Sequence, residues 1–318
     1  MMKTSLAFLG LVAGANAFVP VVPALSARTT VSSSATTSQP MRMGLNPELA
    51  ANFPRDFANI PKGTDYGEGK DAELNKASGL CTLTKFEETR MEYLEGQLIE
   101  SLKAVTEEKK SPIFTTALIA GDCVILDAIA KAGLLDKIKV VFVDTYFLFP
   151  ESVDFLHEVE EHYGFKAEVY HCADCATQQE FYDKYGEDYW MEDIEQYDQK
   201  CKVEPLMRAL KEADTGAWIN GRRRDHGFER AALPLWEGTK FNPLSFWSFE
   251  DCWTYLRKHN APYHPLHDVG FSSLGDMQST RKVPMENWFT YGGERSGRFE
   301  GMKNKDGSDK TECGIHSK

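Results

Sequence analysis

Between Ile113 and Ile219 the chain alternates short apolar runs with stretches of helical period, and this alternation restricts the fold more than any other feature. Ile113–Ala120 (IFTTALIA), Ile138–Val143 (IKVVFV), Ala167–Tyr170 (AEVY) and Ala217–Ile219 (AWI) predict buried strands, while Asp122–Ala132, Glu151–Tyr163 and Val203–Ala213 predict helices. Strand and helix in alternation require right-handed crossovers, so the expectation is an α/β fold: a parallel sheet with helices on both faces. Ligands in such sheets bind at the carboxyl ends of the strands. Upstream, Leu94, Leu98, Leu102 and Val105 recur at helical spacing before Ser111-Pro112, which predicts a long amphipathic helix ahead of the first strand. No internal repeat is visible.

The N-terminus carries a different signal. Met1–Phe18 has one lysine, an apolar run from Leu6 to Ala15, and small residues at Ala15 and Ala17, the layout of a signal peptide cleaved after Ala17. Residues 18–43 have the composition of a transit peptide, since Pro23 to Met43 holds nine Ser/Thr, Arg28 and Arg42 and no acid, and the first acidic residue is Glu48. The pair resembles the bipartite presequence of algae with secondary plastids, so a plastid is the expected location. A secreted protein with a Ser/Thr-rich linker is the alternative, and it is disfavoured because seven cysteines, an odd number, do not form a staple framework.

Charge narrows the partners. The whole chain has 36 Lys+Arg against 48 Asp+Glu, a formal −12; without Lys3, Arg28 and Arg42 the balance is 33 against 48, or −15. General nucleic-acid binding needs a basic surface and is not expected, and no membrane association is expected either. An anionic ligand must find a local basic pocket. The densest cluster is Arg222-Arg223-Arg224-Asp225-His226, with Arg230 shortly after, directly following the strand candidate Ala217–Ile219. Guanidiniums donate bidentately to tetrahedral oxyanions, so this loop is a candidate phosphate or sulfate site.

Further organisation follows. Residues 44–110 read as an N-terminal arm and helix, residues 111–290 as the α/β domain, and residues 291–318 as a mobile tail with six Gly, six Lys/Arg and five Asp/Glu. That tail carries Cys313 in Glu312-Cys313-Gly314-Ile315-His316, with Arg295, Arg298, Lys303 and Lys310 upstream; cations beside a thiol favour its nucleophilic thiolate. Cys172-Ala173-Asp174-Cys175 is a lone C-x-x-C with no second pair to complete a zinc site. Neither G-x-G-x-x-G nor G-x-x-x-x-G-K-[ST] occurs, which disfavours nicotinamide binding and P-loop hydrolysis, and the turn after the first strand has only Gly121, so any phosphate cradle there is degenerate.

From about Phe114 to His316 these residues, in this order, resemble the thioredoxin-dependent phosphoadenylyl-sulfate (PAPS) reductases. Asp144–Glu151 (DTYFLFPE) is similar to the family's "DTGYLFPET" stretch, Lys202–Leu206 to its "KVEP" segment, and Gly221–Arg230 to its Arg-rich substrate loop. Asn242 through Trp247 is similar to its "NPL..W" strand and Glu312–His316 to its "ECGLH" tail. The resemblance implies an adenine nucleotide alpha hydrolase-like fold and catalysis by Cys313, whose thiolate attacks the sulfur of bound PAPS; a thioredoxin then releases sulfite. By position it implies substrate binding by Lys202, Arg222, Arg223, Arg224, Arg230, Asp144 and His316. It implies sulfite supply for cysteine synthesis in sulfate assimilation, and leaves a homodimer open.

Departures from related patterns matter too. The iron–sulfur adenylyl-sulfate (APS) reductases carry a Cys-Cys pair where this chain has Tyr197-Asp198 and a C-x-x-C where it has Asp276-Met277-Gln278-Ser279. Cys201 then stands alone, and no iron–sulfur cluster or metal is expected. The chain shows no thioredoxin-like extension, so the reductant is expected to be external. Phe271 replaces a frequent Tyr, which is read as removing a hydroxyl from the pocket rim. Two alternatives remain: a cluster-free enzyme acting on APS, and a non-catalytic nucleotide-binding or redox-sensing protein using Cys172 and Cys175.

Overall fold

The computed structural model describes residues 85–316; the expected signal and transit segments (residues 1–43), most of the arm, Cys81 and the last two residues lie outside the described residues. All described residues belong to one compact unit. Helix α1 (Lys85–Glu108) carries the expected apolar stripe, and Leu94, Leu98, Leu102 and Val105 are all buried, joined by Met91. Its polar side is tied to α6 (Phe249–His259) by a two-pronged Arg90–Asp251 pair, with Nε to Oδ1 at 3.1 Å and Nη2 to Oδ2 at 2.6 Å. Lys258 and His259 of α6 both meet Glu95 of α1.

Strands β1 (Ile113–Thr116), β2 (Lys139–Val143), β3 (Glu168–Tyr170) and β4 (Trp218–Ile219) run parallel, and the crossovers are α2 (Ala120–Lys131), α3 (Pro150–Tyr163) and a longer excursion containing α4 (Gln178–Tyr185) and α5 (Glu204–Glu212). Alternation along the strands assigns the two faces. Phe114, Val140, Phe142 and Ile219 join the main core with α1, α2, α3 and α6, whereas Ile113 and Val141 pack with Ala209 of α5 on the other side. Among the described residues, no helix is long and apolar enough to cross a membrane.

A hairpin that the apolar pattern did not announce completes the sheet: β5 (Trp236–Glu237) lies antiparallel to β6 (Lys240–Phe241), and the order is β3-β2-β1-β4-β6-β5. The "NPL..W" stretch is corrected here. Asn242–Trp247 is a run of tight turns, with Ser245 N–H donating to Asn242 O and Trp247 N–H to Leu244 O, and the strand is the dipeptide just before it. The first half of the supposed tail also differs from expectation. Gly293, Glu294, Gly297 and Phe299 are buried, so residues 291–300 are part of the packed body. Gly297 shows the reason: a Cβ there would sit 2.3 Å from Arg281 O.

Candidate active site

Strand order reverses between β1 and β4, since the chain builds outward through β2 and β3 and then returns to the opposite side of β1. The carboxyl ends of β1 and β4 diverge there and leave a crevice, the usual ligand position in such sheets. Thr115 and Thr116 at the end of β1 and Ala117 after it reach the crevice, and Asn220, Gly221 and Arg222 follow β4. Gly221 is required sterically: a Cβ would stand 2.3 Å from Asp122 Oδ1 at the start of α2. Leu118 and Tyr146, in the turns after β1 and β2, hold left-handed φ of 56° and 66°, local strain of a kind that gathers around binding sites.

Cations line this pocket. Lys202 enters from a single π-helical turn, Gln199–Val203, that precedes α5, and is buried between Asp198 (2.7 Å) and Asp276 (2.6 Å). Burial alone would lower the Lys202 amine, but Asp276 and Asp198 outweigh it and raise it, so it is charged. Arg222 is oriented by Asn220 Oδ1 at 3.1 Å and by Glu237 Oε2 at 2.7 Å. Arg230 meets His226 Nδ1 at 2.9 Å. Arg295 and Arg298 arrive from the 291–300 segment; Gly275 leaves room for Arg298, whose guanidinium lies where a Cβ would be. Burial first, and the neighbouring Arg230 charge second, lower Arg295 to about 10, the mark of crowded cations that an anion would relieve.

The tail closes the mouth. Cys313, Ile315 and His316 all line the pocket, and Cys313 interacts electrostatically with Lys202, Arg295 and Arg298. His316 stacks on Trp218 at 5.1 Å, and Lys240 Nζ donates to His316 O at 3.0 Å. Burial, and then Arg222 and Arg230, push the His316 imidazole well below its ordinary value, so it is neutral.

Of the residues singled out from sequence, the structure brings together Cys313, Lys202, Arg222, Arg230 and His316, and it does not bring Arg223, Arg224 or Asp144. Arg223 is fully buried behind the pocket, held by Asp225 at 2.9 Å and by Glu294. Arg224 lies over Phe246 at 4.2 Å and donates to Leu233 O. Asp144 shapes the turn after β2, its Oδ1 accepting the Tyr146 N–H at 2.9 Å, and faces His171 at 3.8 Å. The loop leaves β4 and enters a 3₁₀ turn at Arg224–His226, so its successive side chains diverge, and of the three consecutive guanidiniums only that of Arg222 lines the pocket. Phe271 likewise packs on Phe149, ring centroids 5.2 Å apart, rather than lining the pocket. Arg295, Arg298, His226 and Asp276 are pocket residues that sequence reasoning did not assign; the two arginines stood out only as tail cations upstream of Cys313.

The other cysteines are placed differently. Cys201 does not stand alone: it packs with Cys172, Cys175 and a set of aromatic rings. Its sulfur is nevertheless outside the close group formed by Cys172, Asp174 and Cys175. Burial, and then the hydrogen bond to Asp174, push Cys172 up to about 12, and burial raises Cys175 as well. That withholds the thiolate on which a redox-sensing pair depends.

Asp122 gives a testable electrostatic consequence. Burial pushes its carboxyl up to about 7, against the pull of the Ala117 N–H and with Glu294 adding to the rise. The folded state therefore holds a proton that the unfolded chain has released, and the associated stability, complete below the ordinary value of 3.8, is lost as pH rises through about 7. Asp122→Asn should flatten this dependence: its melting temperature relative to wild type should be higher near ~pH 8 than near ~pH 5. An offset equal at both values would show that Asp122 is ionised throughout.

Fold and crevice together define an α/β protein with a cationic pocket and a thiol presented over it from the tail. Residues 112–282 match a family model described as the phosphoadenosine phosphosulfate reductase domain. A probable phosphoadenosine phosphosulfate reductase of Schizosaccharomyces pombe is 36% identical over 251 residues, covering 76% of this chain and 90% of that protein. The phosphoadenosine phosphosulfate reductase of Saccharomyces cerevisiae is 35% identical over 215 residues, covering 64% and 77%. Among solved structures, a phosphate complex of the PAPS reductase of Candida auris is similar with a TM-score of 0.53 and 30% identity, covering 63% of this chain and 98% of that one. The chain belongs to the phosphoadenosine phosphosulfate reductase family.

Proposed function

We propose that this enzyme reduces PAPS to sulfite and adenosine 3′,5′-bisphosphate with an external thioredoxin, through a thiosulfonate on Cys313. The observation that carries the reading is the position of Cys313 at the mouth of a pocket lined by Lys202, Arg222, Arg230, Arg295 and Arg298. In the first step the Cys313 sulfur forms a bond to the sulfur of the sulfo group, the sulfur–oxygen bond to the nucleotide phosphate breaks, and the nucleotide leaves with that electron pair. Cations at the leaving phosphate stabilise its developing charge without reorganising. In the second step a thioredoxin thiolate attacks the Cys313 sulfur and expels sulfite. Its second thiol then closes the thioredoxin disulfide and frees Cys313. Two electrons pass from the dithiol to sulfur overall. Tail closure excludes water in the first step, and tail opening admits thioredoxin in the second.

PAPS is proposed over APS as substrate because five cations, Lys202, Arg222, Arg230, Arg295 and Arg298, line the pocket and the relatives reported above are named for PAPS. The test is sulfite release with thioredoxin, comparing kcat/KM for the two nucleotides in one assay. A preference for PAPS on the order of 10³-fold is expected, since a missing 3′-phosphate would leave buried cations unpaired. A ratio near unity would return the assignment to APS. The plastid location rests on residues 1–43; fused to a fluorescent reporter they should carry it into a plastid, and secretion of the reporter would refute that reading.

A further inference from the structure

Glu312, immediately before the proposed nucleophile, already occupies the two guanidiniums at the pocket mouth. Its Oε1 accepts from Arg230 Nε and its Oε2 from Arg230 Nη2, both at 2.7 Å, and Arg295 Nη2 lies 3.3 Å from Oε2. Two parallel N–H···O bonds from one guanidinium are also how arginine grips sulfate and phosphate oxygens. Burial alone would raise the Glu312 carboxyl, but Arg295 and Arg230 outweigh it and hold it below its ordinary value, so the group is an anion. Farther from the nucleophile the tail is anchored by other partners: Lys310 pairs with Asp198 at 2.6 Å, Thr311 Oγ1 donates to Glu229 Oε1 at 2.9 Å, and His316 rests on Trp218 and Lys240, while the Thr311 carbonyl, accepting from Arg295 Nη2 at 3.0 Å, shares a guanidinium with Glu312. The tail is therefore pinned on either side of Glu312 by contacts that an anion at Arg230 does not contest.

We infer that Glu312 is an internal stand-in for the substrate anion: before substrate binds it holds the tail down over the pocket through Arg230 and Arg295, and an incoming sulfo or phosphate group displaces it and shifts Cys313 with it. The inference rests on the reading of this pocket as a nucleotide site. It makes Glu312 a positioning residue, which couples occupancy of the pocket to the placement of Cys313 without touching the reacting sulfur.

The test is Glu312→Gln, which keeps shape and one acceptor but removes the competing charge. The dissociation constant for adenosine 3′,5′-bisphosphate, measured by calorimetry on the otherwise intact chain, should fall about tenfold, the size expected for one charge-assisted hydrogen-bond competitor. KM for PAPS should fall with it while kcat does not rise, and Glu312→Asp should return the dissociation constant towards the wild-type value. Alkylation of Cys313 by iodoacetamide, read on its peptide by mass spectrometry, should be faster in ligand-free Glu312→Gln than in ligand-free wild type. A residue with a merely structural role would instead lower the melting temperature and weaken nucleotide binding, and either an unchanged or a weaker dissociation constant overturns the inference. A measurement on wild type alone guards against a variant that does not fold: saturating inorganic phosphate should accelerate Cys313 alkylation, and unchanged or slower alkylation overturns the inference. If wild type binds the nucleotide and turns over while Glu312→Gln matches it in both, this inference fails and the proposed function stands. If wild type binds no nucleotide, the proposed function fails and takes this inference with it.

Discussion

Cys313→Ser should reduce thioredoxin-dependent sulfite release by at least about three orders of magnitude, with affinity for adenosine 3′,5′-bisphosphate held within about threefold. The two side chains are nearly the same size, and Cys313 makes no hydrogen bond on which the pocket depends, so the guanidiniums and Lys202 keep their places. What changes is the nucleophile. A serine hydroxyl is almost wholly protonated at neutral pH and is a far weaker nucleophile than a thiolate. Incubating wild type with PAPS and no reductant supplies the complementary observation: the Cys313 peptide should gain the mass of one sulfo group, and thioredoxin should remove it. Sulfite release by the serine variant within tenfold of wild type would place the chemistry elsewhere.

Arg223→Ala should act on folding rather than on binding. Its guanidinium is fully buried, paired with Asp225 and with Glu294, which is itself only 2% exposed, and lies over Phe249 at 5.4 Å. Removing it strands a buried carboxylate, a loss of about 3–5 kcal/mol, which for a domain of this size lowers the melting temperature by roughly 10 °C. Chemical denaturation and thermal unfolding both read this. The double variant Arg223→Ala/Glu294→Ala should recover part of the loss, since it removes the unpaired charge as well. Nucleotide affinity of the folded fraction should stay near wild type, because Arg223 does not line the pocket. Weaker binding at an unchanged melting temperature would instead mean that this guanidinium reaches the ligand.

The contrast between Arg223 and Arg230 shows where sequence reasoning stops. Three consecutive arginines after a strand announce an anion site, but adjacent side chains point in different directions, and nothing in the order of residues says which one faces the crevice. Arg295 and Arg298 illustrate the converse. Some sixty to eighty residues separate them from Arg222 and Arg230, and they reach the pocket only because Gly275, Gly293 and Gly297 let their segment pack tightly into the body. The β5–β6 hairpin was hidden for a simpler reason. Strands of two residues have no period to detect.

The alternation of apolar runs and helices that determines the parallel sheet was legible in the sequence alone, because burial on both faces leaves a continuous apolar record along each strand. So was the stripe on α1, since a helix with one buried face repeats at its own pitch. The proposal for Cys313 came from the resemblance of Glu312–His316 to the family's tail, because a cysteine in a Gly-rich segment says little by itself. Only the tertiary structure decided that Arg222 and Arg230 enter the pocket while Arg223 braces Glu294 and Arg224 covers Phe246. It also decided that Glu312 pairs with Arg230 across the mouth. Ion pairs between residues distant in sequence depend on distances of a few ångströms, and those are set by packing of the whole chain rather than by any local pattern.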